Sequence, residues 1–306
     1  MFSILLHLLC VTLCLQLQQG LSGPQCLEHP PNLNGTSGAG RVIQVGGLKA
    51  YVTGPPHSKL AIILASDVYG YEAPNLRKIA DKVASTAGFH VVVPDFFYGE
   101  PYNPNNTQRN MTVWLKDHGT DKGFEDAKRL IAALKKKGAS KIGAAGFCWG
   151  GKVVAELAKG YYTKAAVLLH PSRVTLDDIK EVKTPISILV AQFDNGTPPE
   201  LMKQFKEVLS TNKVDNFVKI FPGVSHGWTV RYQQDNVTAV KSANEAHQDM
   251  LDWFTNCDKD LFGPPCWEHP PTLSRTSGVG RVTKVGGFNA LCYWPSSFQA
   301  CHNPRL

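Results

Sequence analysis

Charge is scarce in this chain, and long apolar runs are absent beyond its first residues. Only 19% of the 306 residues are Asp, Glu, Lys or Arg, and the net charge of +7 has one clear cluster, Lys135-Lys136-Lys137. A helix C-terminus attracts such a cluster through its dipole, so the basic balance gives no reason to expect nucleic acid as a partner. After residue 22 no segment approaches the roughly 20 apolar residues that span a bilayer, so the mature chain is expected to contain no membrane span. Compact metal-ligand motifs are missing too. Cys26-x-x-His29 and Cys266-x-x-His269 are far-separated pairs, and no metal or organic cofactor is expected.

What is present is 43% hydrophobic residues, arranged in alternating short apolar runs and helical patterns. Strands are expected over residues 43–45, 50–52, 60–65, 91–94, 142–145, 165–169, 186–191 and 218–221. Helices are expected over 74–86, 123–137, 153–159, 199–210 and 239–255. This alternation predicts an α/β fold, a doubly wound, mostly parallel sheet that opens with an antiparallel pair.

One strand-to-helix junction carries the hexapeptide Gly146-Phe147-Cys148-Trp149-Gly150-Gly151. A nucleophile on such a sharp turn needs glycine on both sides, because a side chain there would strike the neighbouring strand or helix. The helix that follows favours thiolate and aims backbone N–H groups at a reacting carbonyl. Cys148 is therefore the candidate nucleophile. Chain order then calls for an acid and a histidine on later strand ends. Asp194 follows the apolar run 186–191, and His226 follows the next strand in Pro222-Gly223-Val224-Ser225-His226-Gly227. His170, at another strand end, precedes Asp194 and is expected to line the pocket instead.

With these motifs the chain resembles the dienelactone hydrolase family of α/β-hydrolases, over about residues 40–254. Within that family it is most similar to secreted plant members, some of which carry an endo-1,3;1,4-β-glucanase name. The resemblance implies an α/β-hydrolase fold with a nucleophile elbow. It also implies a Cys148, His226 and Asp194 triad, with an oxyanion hole from the backbone N–H groups of Trp149 and Val68. Asp67 stands where relatives place a glutamate against the resting thiol. Arg231 lies near a carboxylate-binding position but one residue out of register, and Arg109 is a weaker counterpart for a second arginine. The expected chemistry is hydrolysis of an ester or lactone of small size. The alternatives are a glycan hydrolase, which would need two carboxyl groups from Asp67, Glu72 and Asp95, and an idle secreted ligand-binding protein.

Residues 1–22 read as a signal peptide whose n-region lacks Lys and Arg, and predict a secreted protein, in the cell wall or apoplast if it comes from a plant. Five N-x-Ser/Thr sequons, at Asn34, Asn105, Asn110, Asn195 and Asn236, agree with export and glycosylation, although Asn195, beside Asp194, is expected to stay unmodified. Removing the leader leaves six cysteines, so a free Cys148 leaves an odd number. The catalytic domain is assigned to residues 24–256. Residues 257–306 repeat the domain's beginning, Gly263-Pro264-Pro265-Cys266 echoing Gly23-Pro24-Gln25-Cys26, and stop before a first core strand. That tail is expected to be poorly ordered, with at most a stray hairpin, and dispensable.

Overall fold

The computed structural model describes residues 24–33, 37–259, 281–285, 288–293 and 300–302. The chain separates into two compact units, Met1–Cys266 and Trp267–Leu306. The expected leader, with Cys10 and Cys14, lies outside the described residues, as does Cys266. Among those described, no helix is long and apolar enough to cross a membrane.

In the first unit, β1 (Arg41–Val45), β2 (Leu48–Thr53), β3 (Leu60–Ala65), β4 (His90–Pro94), β5 (Lys141–Phe147), β6 (Ala165–Leu169), β7 (Ile186–Phe193) and β8 (Asn216–Ser225) form one sheet. Its order is β1-β2-β4-β3-β5-β6-β7-β8. β1, β2 and β4 pair antiparallel, and every pairing from β4 through β3 to β8 is parallel. Helices α1 (Pro74–Ala87), α2 (Met111–Asp117), α3 (Thr120–Lys136), α4 (Trp149–Lys159), α5 (Leu176–Lys180), α6 (Pro199–Thr211) and α7 (Val237–Lys259) connect and cover the strands.

A parallel strand covered on both faces has no polar alternation, and β3 reads Leu-Ala-Ile-Ile-Leu-Ala for that reason. Ala61, Ile63 and Ala65 join the core with Leu130 and Leu134 of α3 and Val153, Val154 and Leu157 of α4. Ile62 and Leu64 join the opposite core with Leu76, Ile79 and Val83 of α1 and Met250, Leu251 and Phe254 of α7. Each fully buried Leu, Ile or Val of this kind contributes about 1.5–3 kcal/mol by leaving water.

The chain runs from β3 outward to β4 and then returns to β5 on the other side of β3. Loops leaving the carboxyl ends of β3 and β5 therefore diverge, which is where open α/β sheets place their sites. β8 runs four residues beyond its expected end at Phe221, through Pro222 and Gly223. The register explains it: between Ala191↔Phe221 and Phe193↔Ser225, two steps on β7 face four on β8. This bulge absorbs the extra length at Gly223, whose φ is 72°.

In the second unit the described residues form a three-stranded antiparallel sheet, β9 (Arg281–Val285), β10 (Phe288–Tyr293) and β11 (Ala300–His302), in the order β11-β10-β9. That is one strand more than the hairpin expected there, and Cys292 stands opposite Cys301.

Candidate active site

Gly146, next to last in β5, stands where a Cβ would collide with the Gly150 carbonyl, and a Cβ on Gly150 would collide with the carbonyls of Ala65 and Ser66. The two glycines thus let the elbow pack directly on the end of β3, where the Gly150 N–H donates to the Ser66 carbonyl at 3.1 Å. Cys148 occupies the tip with φ 51° and ψ −108°, a conformation a β-carbon resists and the surrounding packing enforces. Its own N–H donates to the Leu169 carbonyl of β6 at 3.1 Å, and its side chain is fully buried.

The neighbouring strands deliver the other groups. His170 follows β6, Asp194 follows β7 and His226 follows β8, and the Phe193↔Ser225 pairing sets the last two level. His226 Nδ1 and Asp194 Oδ2 are 2.7 Å apart, with both residues buried. Burial alone would lower the His226 pKa, but the Asp194 hydrogen bond and a neighbouring thiolate raise it to about 9. Burial would raise Asp194, yet the His226 hydrogen bond and charge hold it below the usual carboxylate value. The His170 ring stacks edge-on against His226 at 5.0 Å and pairs its Nε2 with Thr229 Oγ1 at 2.7 Å. Burial, then the charge on His226, keeps His170 well below the ordinary imidazole pKa, so it is neutral.

Two expectations need correction. Asp67 is not the partner of the Cys148 sulfur; its carboxylate accepts from Arg231 Nε at 2.8 Å and from the Tyr69 N–H at 3.0 Å. Aspartate, one methylene shorter than glutamate, is held by a buried cation instead. Arg231 Nη1 also donates to the carbonyls of Gln25 and Glu28, both at 3.2 Å, while Nη2 is buried without a partner. Arg109 is half-buried and engaged elsewhere, pairing with Glu100 at 3.2 Å and Asp117 at 2.7 Å.

The partner of the Cys148 sulfur is Cys26, which the sequence offered only as one of six remaining cysteines, in a Cys-x-x-His pair and an internal repeat. Cys26 lies in a 3-10 turn, Pro24–Leu27, and is 3% exposed. Its Sγ is 3.6 Å from Cys148 Sγ, 3.6 Å from His226 Nε2 and 3.6 Å from Ser172 Oγ. The hydrogen bond from Cys148, opposed by burial and aided by His226, lowers the Cys26 pKa to about 4, and the same contact pushes Cys148 well above the ordinary thiol value. In this arrangement the thiolate–imidazolium pair belongs to Cys26. The one signal in the sequence was the spare cysteine itself. Cys26, Cys148 and His226 are also the one group among the described residues with donors to hold a metal ion, all within 4.8 Å of one another. Contacts of 3.6 Å are ordinary for thiol hydrogen bonds, so the geometry does not call for an ion. His29, the other half of the Cys-x-x-His motif, is exposed.

Comparisons with known proteins identify the family. Residues 48–257 match the dienelactone hydrolase family. An "Endo-1,3;1,4-beta-D-glucanase" from Zea mays is 50% identical over 191 residues, 60% of this chain and 61% of that protein's length. A "Carboxymethylenebutenolidase homolog" from Homo sapiens is 33% identical over 223 residues, 71% of this chain and 91% of the relative. Among solved structures, a putative dienelactone hydrolase from Klebsiella pneumoniae superposes with a TM-score of 0.57 at 18% identity, covering 68% of this chain and 92% of that one, which supports the fold. The chain belongs to the dienelactone hydrolase family and is a hydrolase of the ester and lactone class.

Proposed function

We propose that the chain hydrolyses small esters or lactones through Cys148 as nucleophile, His226 as base and acid, and Asp194 as the group that orients the imidazole. The observation that carries this is the 2.7 Å Asp194–His226 contact. The His226 ring also lies within 4.8 Å of a sulfur on a strained strand-to-helix turn. In the reactive arrangement His226 Nε2 takes the Cys148 proton, and the thiolate adds to the substrate carbonyl. The oxyanion is received by two N–H groups. Those of Gly150 and Gly151 already donate to Ser66 and Cys148 carbonyls, which leaves Trp149 at the helix start, and Val68 after β3 supplies the second. His226 protonates the leaving alcohol, then activates water to release the acid and restore the thiol.

The name of the maize relative points to glucan cleavage, which needs two free carboxyl groups about 5–9.5 Å apart across a glycosidic bond. The candidates here are otherwise engaged: Asp67 with Arg231, Glu72 with Arg77, and Asp95 with the Phe97 N–H. The ester reading is therefore the stronger. It is tested by assaying p-nitrophenyl esters, lactones and a mixed-linkage β-glucan with the full chain and its Cys148→Ala variant. Ester or lactone turnover should fall by about 10³-fold or more in the variant. Glucan cleavage that survives the substitution would overturn the proposal.

A further inference from the structure

We propose that Cys26 and Cys148 form a reactive dithiol, a modification site at which low-molecular-weight disulfides of the glutathione class are reduced and a Cys26–Cys148 disulfide closes the active site. The sulfurs already touch at 3.6 Å. A disulfide bond is about 2.0 Å long, so closure asks for a shift of about 1.5 Å, the scale of a side-chain adjustment on one short turn.

The turn that carries Cys26 is held over the site by hydrogen bonds and by no covalent link. Gln25 Nε2 donates to the Phe193 carbonyl at 3.1 Å, and the Asn195 N–H donates to Gln25 Oε1 at 2.9 Å. Tyr69 Oη donates to the Leu27 carbonyl at 2.8 Å, and Arg231 supplies the two bonds given above. These anchors come from the end of β7 and the loops after β3, β7 and β8, and the last two of these loops carry Asp194 and His226. With the turn in place Cys148 is fully enclosed, and a surface depression of about 340 Å³ lined by Thr120, Lys122 and Glu156 among others touches none of the proposed triad. The turn therefore has to lift before any reagent reaches Cys148, and lifting it returns His226 to that sulfur.

The chemistry balances in two exchanges. As the turn lifts, the Cys26 thiolate takes back the proton that His226 held; the neutral imidazole then takes the Cys148 proton, and the Cys148 thiolate attacks the reagent disulfide RSSR, giving Cys148–SSR and RS⁻, which leaves as RSH with that proton. When the turn settles, the Cys26 thiolate attacks the Cys148 sulfur, forms the Cys26–Cys148 bond and expels a second RS⁻. The two thiol protons finish on two RSH molecules; the protein dithiol is oxidised by two electrons and the reagent reduced by two. On settling, Cys26 returns its proton to His226, 3.6 Å from its sulfur, and that contact holds the second attacker as a thiolate. The dithiol requires the two sulfurs and His226 and no substrate turnover, so its failure is separate from failure of the hydrolytic reading.

The test is to reduce the full chain, desalt it, incubate it with glutathione disulfide and map the cysteines by non-reducing peptide mass spectrometry. The wild type should yield a peptide pair joined through Cys26 and Cys148, reversed by dithiothreitol. Cys26→Ser and Cys26→Ala, each checked for folding by circular dichroism, should stop at a glutathionyl adduct on Cys148 and accumulate it about 10-fold or more over the wild type. A wild type that holds the same adduct on Cys148 with Cys26 free, or that leaves Cys148 unmodified while Cys26 reacts, overturns the proposal. Because the wild-type map alone decides between these outcomes, a variant that fails to fold does not blunt the test.

Discussion

At the residue scale, the site's protonation turns on which sulfur faces the imidazole. Cys26, at 3.6 Å from His226 Nε2, has its pKa lowered from 9.0 to about 4, and His226 is raised from 6.5 to about 9. The signs follow from linkage. Cys26 is an acid with a depressed folded pKa, so its contribution is full above 9.0 and lost as pH falls through about 4. His226 is a base with a raised folded pKa, so its contribution is full below 6.5 and lost as pH rises through about 9. The ion pair therefore persists between those limits. Ultraviolet thiolate absorbance of the reduced protein should hold as pH is lowered from 8 to 5 and fall with a midpoint near 4. In Cys26→Ser that acid-side step should vanish; if the step remains, the thiolate belongs to another cysteine. The three residues proposed as the triad could be picked out of the sequence in order, because strand ends and glycines mark them locally. Cys26 stayed hidden because its partner lies 122 positions away and no periodicity links a 3-10 turn to an elbow. The Asp67–Arg231 pair was missed for the same reason, at a separation of 164 residues.

At the element scale, the elbow depends on two glycines at different contacts. Gly150 lies against backbone carbonyls of β3, which have no side chain to turn aside. Gly150→Ala should destabilise the fold by about 2–4 kcal/mol through overpacking and lower activity with it. Chemical denaturation compared with Gly47→Ala, where a Cβ meets nothing within 4 Å, measures this. Gly47 has φ 87°, so its alanine variant carries backbone strain alone and should cost less. The expected strands 60–65 and 165–169 coincide with β3 and β6, because uninterrupted apolar runs flanked by turn residues leave little choice of boundary. The two helices not foreseen are short. α5 was nevertheless announced by a capping box, with the Thr175 side chain receiving the Asp178 N–H and Asp178 receiving the Thr175 N–H. α2 is capped by Asn110, whose side chain accepts the Val113 N–H, a cap that also reads as a sequon in the sequence.

At the scale of the whole molecule, the proposed catalytic residues belong to one unit. The sheet, both cores, the triad and the Cys26 turn all fall within Met1–Cys266, and the last buried side chain of α7 described is Phe254. A chain ending near Asn256 should keep ester turnover within about 3-fold of the full chain and melt within a few degrees of it, as expected for loss of a separate unit. Activity lost from a shortened chain that remains folded would assign the tail a part in the site. The internal repeat identified the tail as a copy of the domain's beginning, but the third strand, β11, has no counterpart in that copy and so could not be read from it. The central claim, that Cys148 carries the acyl group, is tested most directly by quenching the full chain in acid during turnover of a p-nitrophenyl ester and mapping the acylated peptide. The account predicts a thioester on the peptide that contains Cys148. Acyl transfer to Cys26 or to any other side chain, or steady turnover that survives Cys148→Ala, would contradict it.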